Sequence, residues 1–250
     1  MNTAGEIYLL FETKKNKDAS IPPSMLPEIL LSSLIVLSTH AASYLLVGER
    51  GGEEAVWFLQ HALVNLMIAR MTLSSFVDSL LLMPYCTEEE GAFGRVPISL
   101  SICLHAWHAI RFKMTTDDRI HHLLFLPLIG VPGLLYGWGK CGDVQLFFMC
   151  GVPGAILYLL LSARRCGWLT GVDEPLVSCA VNLLVRMPGG LFAWYLLARS
   201  ILDAFLFRSA DLRLDPPAWA LLLQFTLSPI NSIGYTVQSL RRLKRRRRRS

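Results

Sequence analysis

The stretch Thr115 to Gly130, TTDDRIHHLLFLPLIG, sets two aspartates, an arginine and a histidine pair directly ahead of an apolar run that continues to Trp138. A run from Ile120 to Trp138 has the roughly 20-residue length that crosses about 30 Å of hydrocarbon as a helix. Similar blocks recur along the chain at Leu26 to Val47, Val56 to Met83, Val144 to Ala163 and Leu176 to Phe207. Two weaker blocks, Val96 to Phe112 and Ala218 to Leu240, carry polar side chains but have nowhere else to be buried, because the loops beside them are short. The reading is an all-α, multi-pass transmembrane helical bundle of about seven helices. Composition agrees: 53% of the 250 residues are hydrophobic and 17% are charged, whereas soluble domains carry about 25% charged residues.

The expected organisation is an N-terminal segment (1–25), a first transmembrane helix (26–47), a six-helix domain (56–240) and a basic tail (241–250). The N-terminal apolar run is short and interrupted by acids, so no cleavable signal is expected and the first span serves as the insertion signal. Eight basic residues lie between Arg241 and Arg249, and removing them takes the net charge from +5 to −3. Such a cluster beside a span holds the cytoplasmic end and attracts anionic lipid headgroups; nucleic acid is not expected as a partner. With the tail in the cytoplasm, Arg111, Lys113, Arg119, Arg164 and Arg165 share that side and Glu88, Glu89 and Glu90 lie opposite.

Six cysteines include no CxxC pair, which speaks against a thiolate metal site. Cys86 and Cys141 share the outer side and form a candidate disulfide, while Cys166, beside Arg164 and Arg165, is a candidate palmitoyl acceptor. Three later spans carry proline beside glycine: GVPG at 130–133, GVPG at 151–154 and PGG at 188–190. Each proline removes a helical hydrogen bond, which hydrocarbon tolerates only where a neighbouring helix or cavity re-satisfies the freed carbonyl. The glycines permit close helix approach.

Polar side chains inside spans are costly and tend to face the bundle interior. His61 and Asn65 are four apart, His105 and His108 three apart, and Asn182 and Arg186 four apart, so each pair shares a helix face. Asp78 and Arg70 suit interfacial anchoring or pairing with other helices. In the opening stretch Asp118 precedes His121 by three residues and His122 by four, and Asp117 precedes His121 by four. On a helix a carboxylate so placed orients an imidazole, as a general base requires. Arg119 competes for those carboxylates, which would leave the histidines as interfacial residues.

DDRIHH opening an apolar helix, the Gly/Pro-rich FFMCGVPGAILYLL that follows, and a further helix with Asn182 and Arg186 resemble the TLC-domain proteins, the group containing ceramide synthases, TRAM proteins and the ceroid-lipofuscinosis TLC protein. The resemblance covers roughly 56–240. It implies a six-helix barrel of the second to seventh spans around a lipid-accessible cavity, with the first span outside it, in the endoplasmic reticulum or a related endomembrane. It also implies that His121 and His122 lie at the cavity. In the ceramide synthases a pair of aspartates follows on the next helix; the matching segment here, Val144 to Ala163, has none, so ceramide synthase activity is not expected.

Three functions follow from this reading. The first is binding or sensing of a lipid acyl chain, affecting membrane lipid composition or trafficking, with His61, His105, His108, His122, Asn182 and Arg186 as polar lining. The second is an acyltransferase in which His122, beside His121 and oriented by Asp118, acts as general base, with acyl-CoA as a further candidate partner. The third is a di-iron enzyme: HAWH at 105–108 plus the HH pair resembles the histidine boxes of lipid hydroxylases, but those sites use more histidines than the six present. No metal and no cofactor is expected. A transporter also fits kinked polar helices, but no inverted repeat is evident.

Overall fold

The computed structural model describes residues 25–81, 91–207 and 217–248, which are helical with short connections and contain no strand. The helix Met25–Leu81 is divided at Gly52, whose φ of 67° and ψ of −169° leave helical space, into α1 (25–51) and α2 (53–81). A residue with a side chain rarely adopts that φ, so glycine is needed where the chain reverses. Val36 packs with Val64, His40 Nδ1 meets Gln60 Oε1 at 3.3 Å, and Gln60 Nε2 donates to Val36 O at 2.9 Å. These contacts are symmetric about the break, so α1 and α2 form a helical hairpin.

The remaining helices are α3 (Val96–Arg111), α4 (116–136), α5 (Gly139–Arg165), α6 (174–207) and α7 (Ala218–Arg247). Four helices are long and apolar enough to cross a membrane: Met25–Leu81, Asp118–Tyr136, Gly139–Arg165 and Glu174–Leu202. The two weaker spans are helical but fall outside that set. The 16 residues of α3 rise only about 24 Å at 1.5 Å per residue, and α7 interrupts its apolar face with Gln224, Ser228, Ser232 and Thr236, all buried.

The distribution of polarity is the reverse of a water-soluble bundle. Leu45, Leu81, Leu123 and Leu184 are exposed, while Ser32, Gln60, Thr72, Asn182 and Ser232 are buried. Interhelical hydrogen bonding inside and leucine outside is the pattern hydrocarbon solvent favours. Five ion pairs lie at the ends. Arg111–Glu53 (3.0 Å), Arg165–Glu54 (2.6 Å), Arg164–Glu174 (3.8 Å) and Arg246–Asp173 (2.7 Å) gather at one end, and Lys140–Asp78 (3.4 Å) lies at the other. Asp78 is therefore an interhelical partner of α5.

α4, α5 and α6 each contain a widened π turn, at Leu126–Gly130, Phe147–Gly151 and Asn182–Arg186, and each turn ends two residues before Pro132, Pro153 or Pro188. The wider turn gives the pyrrolidine ring room against the preceding turn. Neighbouring helices supply two of the missing donors. Pro153 leaves Met149 O without its usual helical donor, and Arg186 Nε on α6 donates to that oxygen at 3.1 Å. Pro229 does the same to Phe225 O, which accepts from Trp194 Nε1 at 3.1 Å. The glycines serve close approach: a Cβ on Gly151 would lie 3.0 Å from Ala69 Cα, and one on Gly154 would lie 2.4 Å from Asn65 Nδ2.

One cysteine expectation changes. Cys166 is only 7% exposed, packed with Val47, Ala55 and Leu59, which removes it as an open palmitoyl acceptor. Burial pushes its thiol pKa above the ordinary value, with Arg50 opposing. Cys86, and with it the candidate Cys86–Cys141 disulfide, and Glu88–Glu90 lie outside the described residues.

Candidate functional site: a histidine-lined cavity

Five histidines from three helices converge. His61 on α2 lies 5.5 Å from His108 and 6.3 Å from His105 between ring centroids. His122 on α4 lies 4.9 Å from His105 and 5.0 Å from His108, and His121 is 5.7 Å from His105. Helix periodicity explains the α3 pair, since positions three apart share a face. Consecutive residues such as His121 and His122 do not, yet both reach the cluster because α4 begins at the edge of it.

The hydrogen bonds distinguish the rings. His61 Nδ1 lies 2.9 Å from Trp57 O, a carbonyl that can only accept, while His61 Nε2 receives Trp57 Nε1–H at 3.2 Å. Both nitrogens are satisfied in the neutral Nδ1–H form, so His61 is a packing residue whose tautomer is fixed by the preceding helical turn. His105 Nδ1 donates to Ser101 O at 2.6 Å, which leaves Nε2 as the acceptor of a neutral ring. His122 differs: its buried Nδ1 has no hydrogen-bond partner among the described residues.

Among the described residues Asp118 is shown hydrogen-bonded to Thr115 and not to His122. Its Oδ2 accepts from Thr115 N–H at 2.9 Å and from Thr115 Oγ1 at 2.6 Å, and Thr115 Oγ1 accepts in turn from Asp118 N–H at 3.2 Å. This is a capping box at the start of α4, which satisfies amide groups that a helix end otherwise leaves open. The same spacing that suggested a catalytic dyad serves the helix terminus instead. The side chain of Asp117 is outside the described set.

A partly open cavity lies beside the histidines. Ser101 and His105 of α3, His121 and His122 of α4, Gln145 and Cys150 of α5, and Gln224 and Asn231 of α7 supply its polar wall; Ile98, Leu126, Ile129, Leu146 and Trp138 supply much of the apolar wall. No residue of α1, α2 or α6 lines it. His105 and His122 thus line the cavity as expected, whereas His61, His108, Asn182 and Arg186 stand behind its wall.

Arg186 is 6% exposed. Its Nη1 donates to Asn182 Oδ1 at 2.5 Å, its Nε to Met149 O, and its guanidinium lies 4.3 Å from the centre of the Tyr235 ring. Tyr235 in turn sits 5.8 Å from His121, so Arg186 stiffens the wall from outside.

Three further groups escaped sequence reasoning. Gln145 and Gln224 pair through Gln224 Nε2 and Gln145 Oε1, across α5 and α7. Asp143, which accepts from Ser75 Oγ at 2.6 Å and is 6% exposed, belongs to α5 because that helix starts at Gly139, ahead of the expected Val144. The helix following the histidine pair therefore does hold one acid, yet it does not line the histidine cavity. His40 on α1 packs 5.2 Å from Trp107. Among the described residues no group of three or more His, Cys, Asp or Glu side chains has metal-holding geometry. Comparison with protein-family models, curated proteins and solved structures finds no match.

Proposed function

We propose that this chain is a multi-pass endomembrane protein that holds a lipid acyl chain in the cavity between α3, α4, α5 and α7, and so senses or shifts membrane lipid composition. One observation carries the reading: a partly open cavity among the helices, mostly apolar in its walls, carries its polar groups in a few defined places, as ligand sites do. The resemblance of DDRIHH, the Gly/Pro-rich helix and the Asn182–Arg186 helix to TLC-domain proteins supports the same assignment, with seven crossings, α2 to α7 as the barrel, residence in the endoplasmic reticulum or a neighbouring membrane, and the arginine-rich tail on cytoplasmic anionic lipid. The confinement of ion pairs to the ends of the bundle fits a hydrocarbon-solvated middle.

Native mass spectrometry of the detergent-purified protein tests it. A defined lipid should copurify with wild type and be lost from Ile102→Trp, which fills the cavity, while Leu45→Ala on the outer face of α1 retains it. Identical bulk lipid on all three refutes the cavity. An acyl transfer with His122 as base is the second reading, on the observation that its buried Nδ1 is unpartnered beside the cavity; turnover of acyl-CoA that survives His122→Ala removes it.

A further inference from the structure

Arg186 places a guanidinium inside the apolar span Glu174–Leu202, buried from solvent. Its contacts are all neutral: Met149 O on Nε, Asn182 Oδ1 on Nη1, and the face of the Tyr235 ring. No carboxylate among the described residues pairs with it, and no acceptor among them meets Nη2. Unlike the orphaned atoms of His122 and Gln224, Nη2 is not sealed off by its surroundings. Asp118, the one acid whose field reaches the neighbouring tyrosines, is turned to Thr115 at the start of α4. A buried cation without a counter-charge is costly, and at membrane depth an ionisable side chain marks a place where an opposite charge is received.

The second observation is position. Met149, Cys150 and His121 line the histidine cavity; Arg186 bonds the first and acts electrostatically on the other two. On α7 the lining residue Asn231 precedes Tyr235 by four, and on α5 the lining residue Cys150 precedes Gly154 by four and Tyr158 by eight, so both tyrosines continue the cavity faces of their helices. The steps from Ile98 to His105, Gly142 to Cys150 and Gln224 to Asn231 all run toward the end that carries Arg111, Arg165 and Arg246. Arg186, Tyr158 and Tyr235 therefore stand at that end of the cavity, with Tyr235 5.8 Å from His121. Among the described residues nothing hydrogen-bonds either phenol oxygen.

Resting on the acyl-chain reading above, we infer that the cavity holds a long-chain fatty acid whose carboxylate pairs with Arg186 and accepts from the hydroxyls of Tyr158 and Tyr235, while its chain runs past Leu146 and Ile129 toward Ile98. The planar guanidinium fork matches a carboxylate, and a phenol O–H donates to the same oxygens. Charge selects the head further. One cation balances one negative charge, whereas a phosphate monoester brings about two.

Binding to the full-length protein in phosphatidylcholine nanodiscs, corrected for empty nanodiscs and run in alkaline buffer that keeps the acid ionised, separates this inference from the one beneath it. Tritiated oleate, methyl oleate and oleyl alcohol share a chain length and differ in the head. Oleate should bind at least about tenfold tighter than either neutral compound, and oleyl phosphate should displace it less well than unlabelled oleate does. Arg186→Met should bring oleate down to the methyl oleate level while leaving methyl oleate binding in place, which a merely misfolded variant cannot do. Tyr158→Phe, which keeps the ring, should weaken oleate about fivefold and leave methyl oleate unchanged. If the three compounds bind equally, if oleyl phosphate displaces best, or if Arg186→Met keeps the preference for oleate, the carboxylate inference is wrong and the acyl-chain cavity stands. If no oleoyl compound binds saturably, both are wrong.

Discussion

Replacing Arg186 with methionine removes a buried cation but keeps most of its stem. The substitution strips the only side-chain donor shown for Met149 O, an oxygen whose helical donor Pro153 has already removed. An unpartnered buried carbonyl costs about 1–3 kcal/mol, and loss of the contact 4.3 Å over Tyr235 adds about 0.5–2 kcal/mol. Relief of the guanidinium desolvation opposes both, and interhelical hydrogen bonds in membranes average only about 0.6 kcal/mol. The net expectation is about 2 kcal/mol of destabilisation, or roughly 4–8 °C in Tm for a chain of this size. The decisive comparison is a double-mutant cycle with Pro153→Ala, which restores an N–H able to serve Met149 O. Arg186→Met should cost at least about 1 kcal/mol less in that background. Thermal unfolding in one detergent, followed by helix circular dichroism, measures all four proteins. Strict additivity would refute the claim that Arg186 is there to satisfy the carbonyl freed by Pro153.

The same logic applies to α7: Trp194→Phe, which keeps an aromatic ring but loses the donor to Phe225 O, should cost about 1 kcal/mol more in wild type than beside Pro229→Ala; equal losses in both backgrounds sink it. Gly154→Leu drives a side chain into Asn65 and should destabilise by about 1–3 kcal/mol, read as a fall in unfolding temperature, whereas Gly234→Leu, with open space around it, should not. Asp118→Asn keeps a capping oxygen and should leave lipid retention unchanged, whereas an Asp118 that orients His122 would make Asp118→Asn behave as His122→Ala does. Cys166 should resist maleimide in the folded protein at pH 7 and react faster as pH rises, because burial holds its thiol above the ordinary pKa and so starves it of thiolate; it should also carry no hydroxylamine-sensitive acyl group. Rapid labelling of Cys166 at pH 7 contradicts the packing.

Much of the helical organisation is legible in the chain, because apolar blocks of membrane length admit few alternatives to helix. The turn between Val47 and Val56 is equally legible from its paired glycines. What the sequence does not disclose is how a polar residue is used once the helices meet. Asp118 satisfies the spacing of a histidine dyad and of a capping box at once, and Thr115 at the cap position is the signal that decides for the cap. Arg186 reads as cavity lining from its face, yet the neighbouring helix holds a proline-freed carbonyl within its reach, a long-range fact that pairs of sequence positions cannot carry. Gln145 and Gln224 read as weak points in apolar runs; only their meeting across α5 and α7 turns them into a site. Asp143 was missed by the small uncertainty in where a helix begins.

Photo-crosslinking with a diazirine-bearing oleic acid, followed by peptide mapping, tests the central claim most directly. Labelling should concentrate on the segments that face the cavity, 98–105, 121–130, 142–150 and 224–231, and excess unlabelled acid should abolish it. Labelling spread over the exposed leucines of α1 and α2, insensitive to competitor, would mean that lipid touches only the outside of the bundle and that the cavity is empty of function.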